Sequence, residues 1–335
     1  MPDSEHLSIK DAVFNSPGPR TPGESISLFL KGMVMGAADL IPGVSGGTIA
    51  FITGIYANLL AAISSIGKEA VQHLLGFRIA RAISVVHVRF LIILGAGVGT
   101  SVISMAKLVH YLLHEHAIHT WSLFLGLIAG SIIVIGGHIE KLWNAKNLAT
   151  ILGGAVFAHI VVNLIPVETP EAYWFIFLCG VIAITAMILP GISGSFLLLI
   201  LGKYAFITGA LKGIHKTPFA DNDIQIMFVF GCGALVGLLG FSKVLNHIMN
   251  HYYSLTMCFL TGVLIGSLQK VWPWREVLES RVVRGKEKIL REGLLMPDSF
   301  NASVALAVFL IVAGFVGVIL LDRLANKGEI AQPAE

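Results

Sequence analysis

The sequence predicts an all-α polytopic membrane protein built from two repeats, each a broken or re-entrant helical hairpin plus three transmembrane helices, with the two repeats inverted. Three observations predict it. Charged residues make up 13% of the 335-residue chain and hydrophobic residues 55%, which is about half the charge of an ordinary soluble domain. Mean hydropathy is +0.81, so too little polar surface exists to cover a water-soluble particle. A Pro-Gly-hydrophobic-Ser-Gly motif occurs twice, at Pro42-Gly43-Val44-Ser45-Gly46 and Pro190-Gly191-Ile192-Ser193-Gly194, each time midway along an apolar stretch.

Composition also excludes some classes. A net charge of +3 offers no basic surface for nucleic acid. Cys179, Cys232 and Cys258 lie in apolar runs without metal-ligand spacing and read as small apolar fillers. No cofactor is expected. Residues 1–25 are polar and rich in Pro and Gly, without the apolar core of a cleavable signal. They read as a disordered or surface-lying cytoplasmic tail, and residues 323–335 as a second tail.

A spanning helix takes about 20 apolar residues. Six stretches qualify: Val88–Leu113, Trp121–Ile139, Leu148–Ile165, Ile224–Ile248, Leu255–Val271 and Ala302–Leu321. The two interrupted stretches, 26–66 and 173–211, have arms too short for two full crossings and suit re-entrant hairpins. Repeat one then covers 26–165 and repeat two 173–322. At one constant offset Gly32 aligns with Gly180, Gly54 with Gly202 and Tyr56 with Tyr204. At a second, Gly95 aligns with Gly231, Gly97 with Gly233, Lys107 with Lys243, Gly126 with Gly262, and Gly130-Ser131 with Gly266-Ser267. Such self-similarity marks a duplication. Within repeat two, residues 275–295 mix charge with Val, Leu and Ile and read as an amphipathic helix on the membrane surface.

Three crossings per repeat make the copies inverted, a recurrent transporter plan. Arg20, Lys31, Lys68, Arg78, Arg81 and Arg89 flank the first hairpin and place both its ends on the cytoplasmic side. Arg78, Arg81 and Arg89 read mainly as topology determinants, with a gathering role for anionic headgroups as the alternative. Inversion leaves the basic stretch Lys270–Arg291 outside, against the positive-inside rule. A single crossing by the second broken element satisfies the charges but breaks the repeat symmetry.

Proline ends a helix because it lacks an N–H, and glycines let the backbone turn and bare its amides. Ser45 or Thr48 in the first copy, and Ser193 or Ser195 in the second, can cap the helix that follows. Free amides at a helix start attract an anion. Gly43, Ser45, Gly46, Gly47 and Thr48 with Gly191, Ser193, Gly194 and Ser195 are therefore the candidate anion-binding residues. The alternative is a bend that only lets helices pack closely.

Asp39, in an otherwise apolar arm, reads as a proton-coupling group or as the holder of a cation that faces the substrate, or else as a hydrogen-bond partner of the turn itself. Lys107 and Lys243, at matched positions, are candidate ligands for a doubly charged phosphate. Their alternative is snorkelling to an interface. Lys203 reads as an anchor, and His159 with Asn163 as helix-packing partners. No hydrolase signature is present: Gly43-Val44-Ser45-Gly46-Gly47 spells Gly-x-Ser-x-Gly but lacks the companion His or Arg set of a lipid phosphatase, and there is no P-loop or His-Glu-x-x-His.

The run Gly32–Thr48, with Leu189–Ser195, resembles the family catalogued as domain of unknown function 368, whose members are described as polyprenyl-phosphate transporters. The likeness extends from about Lys31 to Arg323. It implies a non-enzymatic, flippase-type transporter in the bacterial cytoplasmic (inner) membrane. Such a protein returns undecaprenyl phosphate to the cytoplasmic leaflet for cell-envelope and peptidoglycan synthesis. The implied partners are the polyprenyl phosphate lipid and the bilayer, with proton coupling and a homo-oligomer left open. A small-anion or solute carrier of the same broken-helix architecture is the second reading, and an enzyme acting on a lipid phosphate the third.

Overall fold

The computed structural model describes residues 8–40, 45–137, 139, 141–164, 169–216, 222–283, 286–297 and 299–329. A short helix α1 (Ile9–Asn15) precedes the first broken element, α2 (Pro22–Asp39), α3 (Gly46–Ile52) and α4 (Tyr56–Ser64). Surface helices α5 (Lys68–Leu75) and α6 (Ile79–Val85) lead to α7 (Val88–Glu115), α8 (Ala117–Gly137) and α9 (Ala145–Val162). The second broken element is α10 (Tyr173–Ile188), α11 (Gly194–Ile200) and α12 (Tyr204–Lys216). It is followed by α13 (Asp223–His251), α14 (Tyr253–Ser267), strands β1 (Arg275–Val283) and β2 (Lys286–Leu294), and α15 (Ala302–Glu329). Among the described residues six helices, α7, α8, α9, α13, α14 with its 3₁₀ extension, and α15, are long and apolar enough to cross a membrane. Side chains such as Ile103 (85% exposed) and Phe228 (70%) point outward, as lipid contact requires.

Local sequence explains the breaks. Thr21 caps α2 by accepting from the Glu24 amide, with Pro22 in the first turn, where its missing N–H matters least. Both broken elements bend a second time at a left-handed glycine, Gly54 (φ +74°) and Gly202 (φ +65°). The bonds Ile55 N–H to Ala50 O (3.0 Å) and Gly54 N–H to Phe51 O (3.2 Å) recur as Lys203 N–H to Leu198 O (2.8 Å) and Gly202 N–H to Leu199 O (3.0 Å). These are Schellman closures, which need a left-handed residue just past the helix end. The α11–α12 pair is bent by 114°. A Cβ at Gly54 would meet nothing within 4 Å, so only backbone strain opposes a side chain there. Gly54→Ala should lower stability by about 1 kcal/mol, and Gly54→Asn by less. Thermal unfolding in detergent checks both.

Four helix pairs pack in parallel through small residues. Gly32 and Gly97 bring α2 and α7 together, and Gly180 and Gly233 do the same for α10 and α13. Gly126 and Gly130 of α8 lie against Ile311 and Phe315 of α15, while Gly262 and Gly266 of α14 lie against Ile151 and Ala155 of α9. In lipid no hydrophobic force drives helices together, so close backbone approach at small residues must do it.

Hydrogen bonds fix which ends share a face. The His87 amide at the start of α7 donates to Ser65 Oγ (3.2 Å), and Asn246 Nδ2, near the end of α13, donates to Ser64 Oγ (3.1 Å). The start of α7 and the end of α13 thus lie together beside the end of α4, on what is here termed the first face. On the opposite, second face, His119 of α8 sits 3.2 Å from the Ser303 hydroxyl of α15.

One expectation needs correction. Residues 275–294 form an antiparallel hairpin, not an amphipathic helix. Val277, Val282, Val283 and Ile289 favour strands, and in the backbone register Glu279 pairs with Arg291. Trp272 Nε1 donates to Leu295 O (2.8 Å), closing the base, and the Arg275 guanidinium lies 4.7 Å over the Trp121 ring on the second face. At the other end of the chain, where the sequence predicts a disordered or surface-lying tail, α1 packs on α6 and α7, and Ser16 Oγ accepts from the Arg89 amide (3.2 Å).

Candidate functional site

The two broken elements meet at their tips. Helix α10 ends just before Pro190, so the carbonyls of its last turn lack their usual partners. The first half supplies partners. The Ser45 hydroxyl donates to Met187 O (2.8 Å) and the Tyr56 hydroxyl to Ile188 O (3.1 Å). Thr48 Oγ1 in turn accepts from the Gly191 amide (2.8 Å). Ser45 and Thr48 are each 1% exposed. Every polar group at this depth must be satisfied by protein, and each tip satisfies the other. The close fit needs Gly47: a Cβ there would lie 2.6 Å from Ile188 O and 2.7 Å from Met187 O.

The amides expected to be free are engaged in this conformation. Gly46 N–H donates to Asp39 Oδ1 (2.6 Å) and Gly47 N–H to Ser45 Oγ (3.1 Å). Asp39 therefore makes the bond to its own turn, and its carboxylate already occupies the start of α3. Pro42 and Gly43 lie outside the described residues. The second tip is less committed. Ser193, which begins α11, makes no cap bond, and its hydroxyl lies 2.8 Å from that of Ser195. Gly191, at φ +84°, packs against Ser267 and Val263 of α14, and Gly194 against Ala183.

The halves are thus unequal at their centre. Thr48 aligns with Phe196, which has no hydroxyl to return, and Tyr56 with Tyr204, which is 40% exposed. Sequence comparison of the repeats already contains the first mismatch, but not its partner across the interface.

Lys107 and Lys243 are both exposed, and neither takes part in the described contacts of the tips. Lys243 Nζ reaches to the neighbourhood of Gly67, where α5 begins on the first face. Lys203 is an anchor, 3% exposed, donating to Thr169 O (2.7 Å). Lys31 Nζ donates to Thr53 O (3.0 Å) at the end of α3, while Thr169 Oγ1 donates to Leu201 O at the matched end of α11. Asn163 Nδ2 donates to His159 O (2.8 Å), a local helix-end bond. Among the described residues no group of His, Cys, Asp and Glu could hold a metal.

Crossing helices around two half-length elements, whose tips touch in the interior, define the class as a multi-pass membrane protein of the broken-helix kind. Residues 35–289 match the undecaprenyl phosphate translocase-like family, and the chain belongs to it. A polyprenyl-phosphate transporter of Vibrio cholerae is 40% identical over 309 residues, spanning 90% of this chain and 97% of that protein. A polyprenyl-phosphate transporter of Staphylococcus aureus is 32% identical over 256 residues, covering 73% and 85%. No solved structure matches the chain.

Proposed function

We propose that this chain carries polyprenyl phosphate, undecaprenyl phosphate in particular, across the bacterial cytoplasmic membrane for reuse in cell-envelope synthesis, as a transporter and not an enzyme. The resemblance of its first motif to the domain of unknown function 368 family points the same way. The observation that carries this reading is the buried contact of two serine- and glycine-rich tips, Ser45–Thr48 and Gly191–Ser195, between the crossing helices. A phosphate head needs hydrogen-bond donors away from water, and these tips hold hydroxyls and amides whose present partners are one another. Arrival of the head exchanges internal bonds for bonds to phosphate, with Ser193 and Ser195 the first donors available. Lys107 and Lys243, exposed on their helices, gather the head at the interfaces before it reaches the tips.

The inverted-repeat reading is supported by helix direction. Helices α7 and α13 occupy equivalent places in the two repeats, yet the start of one and the end of the other lie beside the end of α4. It is supported too by paired packing: α2 on α7 matches α10 on α13, and α8 on α15 matches α14 on α9. With the first face cytoplasmic, Lys68, Arg78, Arg81 and Arg89 lie inside, and the β-hairpin lies outside.

Translocation of a labelled polyprenyl phosphate by the purified protein in proteoliposomes is the direct test. Uptake of a soluble anion instead would favour a small-solute carrier, and release of inorganic phosphate an enzyme. Asp39→Asn keeps an acceptor for the Gly46 amide but removes the titratable charge. If Asp39 couples transport to protons, this variant should accumulate normally and lose its response to a pH gradient. A gradient response equal to that of the wild type would remove Asp39 from the coupling.

A further inference from the structure

We infer that a second, wholly apolar cavity holds the isoprenoid tail of the lipid while its phosphate sits at the tips; this rests on the transport reading above. The cavity encloses about 590 Å³ between α9, α10, α13 and α14. Leu189, the residue before Pro190 in the second tip, is part of its lining, so the space adjoins the proposed phosphate site. Along α13 it is walled by Phe241, Leu245, Ile248 and Tyr252, whose spacing puts them on one helix face. From Phe241 to Tyr252 the helix rises roughly 16 Å, at about 1.5 Å per residue. That is about half of a hydrocarbon layer about 30 Å thick.

The cavity deepens inward. Leu260 and Leu245 at its floor are buried, while Ile248 (39% exposed) and Phe157 (41%) mark a mouth open sideways to lipid. Of its two side-chain hydroxyls, that of Thr256 is already bonded to Tyr252 O (2.9 Å), and the other belongs to Tyr252, 62% exposed at the first-face end. Phe157 and Phe259, with ring centroids 5.8 Å apart, offer faces and edges to the methyl branches and double bonds of an isoprenoid. A dry cavity of this size suits an apolar ligand and not water. Tyr252 follows the end of α13, on the first face. A lipid with its head at Leu189–Gly191 and its tail in this space therefore points its chain into the first-face leaflet. Under the topology proposed above that leaflet is the cytoplasmic one.

Ile248→Trp and Leu255→Trp fill the mouth without touching the tips. Leu152→Trp, on an exposed part of α9 (65% exposed) outside the lining, is the control. Proteoliposomes are assayed with undecaprenyl phosphate, with geranyl phosphate, whose tail is too short to need the cavity, and with phosphatidic acid. The mouth variants should translocate undecaprenyl phosphate about tenfold more slowly, since apolar contact is lost along the chain, and geranyl phosphate at the wild-type rate. A polyprenyl phosphate with a photoreactive diazirine in its tail should label the wild-type segments around Phe241–Tyr252 and Leu255–Leu260. Equal slowing of both prenyl substrates, or labelling confined to other helices, would overturn the tail site. Competition by phosphatidic acid as strong as by undecaprenyl phosphate would overturn its isoprenoid preference. Absence of any polyprenyl phosphate movement by the wild type would instead refute the transport reading itself.

Discussion

Leucine in place of Gly126 or Gly262 should abolish accumulation of folded protein, while leucine at Gly95 or Gly231 should leave it nearly unchanged. All four glycines belong to matched pairs in the two repeats, so sequence alone does not separate them. The structure does. A Cβ at Gly126 would fall inside the contact radius of Ile311 O, and one at Gly262 inside that of Ile151 O. A backbone carbonyl in a packed helix cannot swing away as a flexible side chain can. The helices would have to separate, which removes the dispersion contacts that hold them in lipid. Overpacking by a few methylenes costs about 1–3 kcal/mol even in forgiving cores, and here the clash is with main chain on both sides of the molecule. At Gly95 and Gly231 nothing lies within 4 Å of an added Cβ. Fluorescence-detected size-exclusion chromatography of the four variants is the measurement. Monodisperse Gly262→Leu protein at wild-type yield would show that α9 and α14 do not need this approach.

That comparison shows how far the sequence could be read. The six spans were legible because nothing but a bilayer accommodates runs of that length and hydropathy. The structural glycines were legible as pairs because helix crossings and left-handed bends admit few substitutes: Gly32 packs on Gly97 and Gly180 on Gly233, and Gly54 and Gly202 take positive φ. The occupancy of the tips was not legible. Whether the Gly46 amide is bare or bonded depends on where the Asp39 side chain turns, and whether Gly191 is bare depends on Thr48, far away in sequence. The hairpin at 275–294 was misread because its mixture of charge and aliphatic residues also suits a surface helix. The better signals were its β-branched residues and a glycine, Gly285, between its two aliphatic runs in the sequence.

A disulfide between Ser64→Cys and Asn246→Cys should stop transport, and its reduction should restore it. This follows from a difference between the two halves in how their last arms pack. Returning arm α4 crosses onto α13 of the other half, where Ser64 and Asn246 are hydrogen-bonded at 3.1 Å. Its counterpart α12 packs on α13 of its own half, and among the described residues it shares no such interface with α7. The first face is thus closed by a contact between halves that the second face lacks, and Tyr56, tied to Ile188 O, is buried while its mate Tyr204 is 40% exposed. Two halves built alike can exchange these roles, closing the second face as the first opens. A cycle of that kind requires α4 to leave α13 once per lipid carried. The native cysteines Cys179, Cys232 and Cys258 should first be replaced, two of them being buried, and the cysteine-free protein shown to transport. Oxidation should then reduce the rate of the double variant to that of empty vesicles, with either single variant unaffected. Full transport by protein shown on gels to be cross-linked would mean that α4 and α13 stay together throughout. The lipid would then have to pass along the outside of a rigid contact, by way of the tips alone.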